Sequence, residues 1–233
     1  MKNAFLPPGS ARSRLNLAIL AIALCAASMT QAGALTATVT DAGGTAVEDA
    51  VIALYDGKQH DGKPVPATSQ QVTLDQRNKQ FEPHVLVVRT HTSVHFPNSD
   101  DIHHEVYSFS KTKPFELPLY HGTPAAPVSF DTPGAVVLGC NIHDNMLAYI
   151  YVVDSPWFGK TNAAGKLTIN ELPAGKYRAR LWYPGLAETA PAIEQEVVVA
   201  ANGAASITFT NAQREARAGN ATITRSWSER RAN

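Results

Sequence analysis

From residue 35 to residue 209 the chain repeats one pattern. Short runs of aliphatic, β-branched and aromatic residues alternate with Gly, Pro, Asn and Asp turn signals at roughly 8–12-residue spacing. The runs fall at 35–40, 50–55, 84–89, 93–96, 104–109, 135–138, 147–153, 166–169, 177–182, 194–199 and 205–209. Between them stand Asp41-Ala-Gly-Gly44, Pro97-Asn98, Gly122-Thr-Pro124, Thr132-Pro-Gly134, Asn162-Ala-Ala-Gly165 and Pro173-Ala-Gly175. No window in this region places apolar residues at helical period between caps. The pattern predicts an all-β chain built from sandwiches or barrels. A chain of 233 residues, 44% of them hydrophobic, can bury one large or two small cores.

The first segment has a different character. Lys2, Arg12 and Arg14 precede an apolar stretch over 15–27, too short to span a bilayer comfortably, and small residues follow. Residues 1–34 therefore read as a secretory signal, with cleavage after Ala34 or after Ala32, and export to the periplasm is expected. Leu24 ahead of Cys25 argues against a lipoprotein cysteine. No other run is long enough to cross a membrane, so no stable span is expected after cleavage. Removing the segment leaves 17 basic against 20 acidic residues, a balance that gives no reason to expect a nucleic-acid partner. It also removes Cys25 and leaves Cys140 as the only thiol of an exported protein. Such a cysteine is a reactive thiol, an intermolecular disulfide, a buried bystander or a metal ligand.

Its surroundings are Gly139-Cys140-Asn141-Ile142-His143-Asp144-Asn145-Met146, with Cys140, His143 and Met146 three apart between two strand-like runs. On a helix that spacing drifts around the axis; in a loop closing a sandwich the three side chains can converge on one ion. Thiolate and thioether are soft donors that favour copper, and imidazole suits it in either oxidation state. Zinc also takes Cys and His, but a thioether serves it poorly. A further His comes from Phe96-Pro-Asn-Ser-Asp-Asp-Ile-His-His104-Glu-Val-Tyr-Ser-Phe109. Adjacent side chains on a strand point to opposite faces, so only one of His103 and His104 can aim at Cys140. His104 shares its face with apolar Val106 and is the expected ligand. His91 and His95, read as one strand, lie about 13 Å apart; His60, His84 and His121 are expected to be solvated or locally hydrogen-bonded.

These residues resemble the cupredoxins, among them plastocyanin, pseudoazurin and amicyanin, and the methylamine-utilisation-type periplasmic proteins. Their pattern is an aromatic, a turn with Asn, then the ligand His followed by Asn-Val, and the Cys-x-x-His-x-x-Met loop here is similar in length to amicyanin's. The resemblance covers residues 68–154 and implies a Greek-key β-sandwich. It implies one mononuclear type 1 (blue) copper held by His104, Cys140, His143 and Met146, one-electron transfer between redox protein partners, and an exposed His143 edge for docking. Glu105 departs from the family's Asn, which ties the two ligand loops together. A second resemblance flanks the first. Thr38 to Leu54, and the turns Asn162–Gly165 and Leu172-Pro-Ala-Gly-Lys-Tyr177, are similar to carboxypeptidase regulatory-like domains. This implies a small transthyretin-like sandwich from 35–58 and 158–210, split by the cupredoxin. The flanks carry no catalytic group and the histidines form no multicopper cluster, so no enzyme is expected. A copper carrier or sensor, and a structural or binding envelope module, remain as other uses of the same residues. Residues 211–233 form a polar, Arg-rich tail.

Overall fold

The computed structural model describes residues 32–58, 72–124, 126–186, 190–210 and 212. The apolar stretch over 15–27, residues 59–71, and all of the tail but Ala212 lie outside these. Every regular element among the described residues is a strand, and the strands stack as sheets. None of the described residues forms a helix long and apolar enough to cross a membrane.

Two sheets combine strands from both ends of the chain. In the first, β1 (Gly33–Val39) lies between β14 (Lys166–Leu172) and β17 (Ala204–Phe209). In the second the order is β13 (Trp157–Lys160), β2 (Val51–Tyr55), β15 (Gly175–Trp182), β16 (Ile193–Val199). Both amino-terminal strands are thus interior strands. They bury Leu35, Ala37, Val39, Ile52 and Leu54 against Leu172, Tyr177, Leu181, Ile207 and Phe209 in one core. Alternation in β1 follows from this, with one face inward and Thr residues outward.

Between β2 and β13 the chain builds a second sandwich. Its larger sheet runs β6 (Val85–Arg89), β12 (Leu147–Val153), β11 (Gly134–Gly139), β8 (His104–Ser108), β9 (Phe115–Tyr120). Its smaller sheet runs β10 (Val128–Phe130), β7 (Thr92–His95), β3 (Val72–Thr73). A short hairpin, β4 (Asp75–Arg77) and β5 (Gln80–Glu82), closes one end. Leu74, Phe96, Phe130, Leu138 and Ile150 are enclosed between these sheets, with Cys140 and Met146 at one end of the same core.

The two sandwiches also pack on each other. Val51 and Trp182 from one meet Val85 and Tyr149 from the other. The Trp182 ring stacks on Tyr151 at 4.8 Å and meets Tyr149 edge-on at 5.6 Å. Lys160 Nζ crosses the seam to donate to the Val85 carbonyl at 3.0 Å. Strands β2 and β12 are therefore covered on both faces, and their sequences, VIALY and LAYIYVV, are continuously apolar instead of alternating.

Candidate metal centre

Strands β8 and β11 are neighbours in the larger sheet, with Gly139 paired to Tyr107. The Tyr107 ring occupies the space that a side chain at residue 139 would need, so a residue without Cβ precedes Cys140. Beyond Gly139 the chain leaves the sheet, turns through 141–145 and re-enters as β12. The Met146 N–H donates to the His143 carbonyl at 3.0 Å and closes the loop. This local fold brings His104 from the start of β8, Cys140 from the end of β11 and His143 from the loop together, their ligating atoms all within 4.8 Å of one another.

The two Nδ1 atoms lie 3.1 Å apart, and the Cys140 Sγ is 3.9 Å from that of His104 and 3.7 Å from that of His143. The point equidistant from the three is about 2.1 Å from each, the length of a transition-metal bond to nitrogen and slightly under that to sulfur. His104 is fully enclosed, Cys140 is 4% exposed and Met146 1%, while His143 is half-buried. Met146 shares the core cluster that contains Cys140. His103, one residue before His104, is exposed and outside the group.

His104 has an outer support that the sequence reading missed. Its Nε2–H donates to Asp100 Oδ2 at 2.8 Å, which fixes the tautomer and leaves the Nδ1 lone pair facing Cys140 and His143. Asp100 is itself held by the N–H groups of Asn78, at 2.6 Å, and Lys79, at 2.9 Å. Both turn residues have positive φ, 54° and 56°, which aims two successive amides at one carboxylate. Burial opposes the charge on Asp100, but these amides and His104 outweigh it and hold its carboxyl below the usual range. The only hint in the sequence was an acid four residues before the ligand, which is common in turns. His143 is shifted down by burial first and by His104 second, so its imidazole stays neutral and free to ligate.

Glu105 is buried on the other side of β8. Burial and Glu116 push its carboxyl up, while a hydrogen bond with Asn141 pulls the other way. The acid thus reaches from the His104 strand to the residue after Cys140. Tyr120, paired across from His104, donates its hydroxyl to the Phe96 carbonyl at 2.7 Å and accepts from Gln76 Nε2. The remaining histidines lie elsewhere. His84 Nδ1 is 3.1 Å from the Leu147 carbonyl. His91 sits at φ 65° in the turn between β6 and β7, not in a strand as the sequence suggested, and contacts Asp131 at 3.1 Å. His60 lies outside the described residues.

No protein-family model matches this chain, and no curated protein matches it. Solved structures similar to part of it include a copper-containing nitrite reductase from Thermus scotoductus SA-01, at 25% identity and a TM-score of 0.35. That likeness covers 39% of this chain and only about a quarter of the reductase. A purple cupredoxin from Nitrosopumilus maritimus is 17% identical over 36% of this chain and all of its own, with a TM-score of 0.32. A mutant of amicyanin in its reduced Cu(I) form at pH 4 is 16% identical over 43% of this chain and 99% of its own, with a TM-score of 0.34. At these scores the likeness carries nothing beyond itself, and the chemistry of the site rests on its distances and burial.

Proposed function

We propose that this chain is an exported type 1 copper protein that carries single electrons between redox proteins in the periplasm. The observation that supports this most is the closed triangle of two imidazole nitrogens and one thiol sulfur, sized for a metal and sealed from solvent on all but the His143 side. His104, Cys140 and His143 would hold the ion and Met146 would supply a fourth, weak thioether donor. That set favours copper over zinc. When bound, copper supplies a one-electron couple.

The chain's own residues do the rest. Asp100 keeps the His104 ring in one orientation and tautomer. Glu105 with Asn141, and Tyr107 against Gly139, fix the Cys140 end of the loop. Because His104 and Cys140 sit at strand ends and the Met146 N–H closes the loop on the His143 carbonyl, the site changes little with oxidation state, which keeps reorganisation small. Burial of His104, Cys140 and Met146 excludes water, and half-buried His143 is the member of the set a partner can reach. Ile102 and Ile142, each more than a third exposed, would supply apolar contact area beside it.

An optical and spin-resonance spectrum of the copper-loaded mature protein tests this. The expected result is one copper per chain and a strong visible band from thiolate-to-copper charge transfer, absent in Cys140→Ser. A colourless wild-type protein, or a serine variant that keeps the band, overturns it. Rapid loss of the copper to a weak chelator would instead identify a carrier or sensor.

A further inference from the structure

We propose that His103 and His121 form a second, surface metal site, a two-imidazole chelate for a divalent transition-metal ion. In the antiparallel pairing of β8 with β9, His104 stands opposite Tyr120. One residue beyond the start of β8 and the end of β9, in line with that register, stand His103 and His121. Directly opposed residues of such a pair have Cβ atoms about 4.5–5.5 Å apart, within reach of one ion for two imidazoles. The ring centroids are 6.1 Å apart, against 4.8 Å for the buried pair His104 and His143. Both rings are exposed, so rotation about their side-chain bonds is free to close the difference. Among the described residues neither ring makes a hydrogen bond or an ion pair.

The backbone beneath the pair is fixed by one buried side chain. Asn98 Nδ2 donates to the Ile102 carbonyl at 2.8 Å and to the Tyr120 carbonyl at 2.9 Å, the residues immediately before each histidine. The Asn98 N–H donates to the Gly122 carbonyl at 2.7 Å, immediately after His121. The two histidines are therefore held side by side before any ion arrives, which lowers the ordering cost of chelation. Imidazole pairs suit zinc, nickel and copper, and the affinity order expected is copper above nickel and zinc. His103 and His104 point to opposite sides, so this site is separate from the buried one and does not depend on what fills it.

The test is a calorimetric titration of the copper-loaded, Cu(I)-reduced protein with Ni²⁺ alone, repeated on the metal-free Cys140→Ser, His143→Ala chain, whose buried site keeps a single imidazole, so that the buried site's identity does not enter. Both proteins are expected to bind one Ni²⁺ with a Kd tighter than about 1 mM. His103→Ala and His121→Ala should each weaken it at least about tenfold, the loss that removal of even an outer-shell partner can bring. His91→Ala, at a surface histidine elsewhere, should leave it unchanged, and the visible spectrum of the reoxidised His121→Ala protein should match wild type. Absence of binding in this range overturns the proposal, as does Ni²⁺ affinity that survives in both single variants.

Discussion

Asp100 makes the candidate centre open to a quantitative challenge. The His104 ring is fully enclosed, and among the described residues its Nε2–H has Asp100 as its acceptor. Asp100→Ala leaves that donor buried and unpaired, which costs about 1–3 kcal/mol. It also lets the ring proton move to Nδ1, the atom that must be bare to ligate. Outer-shell partners of metal-bound histidines typically contribute 10–100-fold in metal affinity, or about 1.4–2.7 kcal/mol, the same range. Copper affinity, measured by competition with a chelator of known strength, should therefore fall about 10–100-fold in Asp100→Ala. Asp100→Asn should recover part of the loss, because an amide oxygen still accepts from Nε2–H. Asp101→Ala, one residue away and exposed, should have no effect. An Asp100→Ala protein whose affinity stays within about twofold of wild type would refute the assignment of Asp100 as the group that orients His104.

Four further outcomes are expected. His104→Ala should abolish the coloured copper site and His103→Ala should leave its visible band in place; the reverse pair of spectra would put the ligand one residue earlier. Glu105→Gln should raise the melting temperature of the metal-free protein near neutral pH and not near pH 4. The raised carboxyl of Glu105 contributes stability that is fully present below the ordinary glutamate pKa and is lost as pH rises through its folded value; equal shifts at both pH values would contradict this. Deleting residues 35–57 should abolish the folding of 159–210, because β1 and β2 are interior strands of both sheets there, and a cooperative unfolding transition from 159–210 alone would count against a shared core. Mass spectrometry of exported protein should find a chain starting at Gly33, since cleavage there leaves β1 whole; a chain retaining Met1 would end the export reading.

Much of the strand pattern was legible because the strands that build the cores carry the apolar signal. The runs at 35–40, 50–55, 104–109 and 147–153 differ from the observed strands by two residues at most at either end. The strands that escaped notice lack that signal. Asp75–Arg77 and Gln80–Glu82 are three residues each and bury only their central side chain, Gln76 and Phe81, so neither gives an apolar run. Phe115–Tyr120 contains Pro118, tolerated because β9 is an edge strand. Trp157–Lys160 is short and half-buried throughout. At the site, the residues with distinctive chemistry, His104, Cys140 and His143, were legible from type and spacing, and the structure brings their donor atoms together. Their supports were not. Asp100 and the Asn78–Lys79 turn act through a contact across the end of the sandwich, and no local pattern marks which acid of Asp100 and Asp101 faces inward.

The pairing of β1 with β17 has a mechanical consequence. These strands, the first and last among the described residues, run parallel in six consecutive pairs from Ala34 with Ala204 to Val39 with Phe209. A pull on the two ends of the chain therefore draws the strands past each other and loads all of those pairs at once, instead of peeling them one by one. The sandwich with the candidate centre hangs from β2 and β13, where the Ser155 hydroxyl donates to the Leu54 carbonyl and holds its entry and exit together. Tension travels across the β14–β1–β17 sheet and bypasses the sandwich inserted between β2 and β13. Under single-molecule extension the sandwich that contains β1 and β17 should rupture first, and the candidate centre should stay slack until it has.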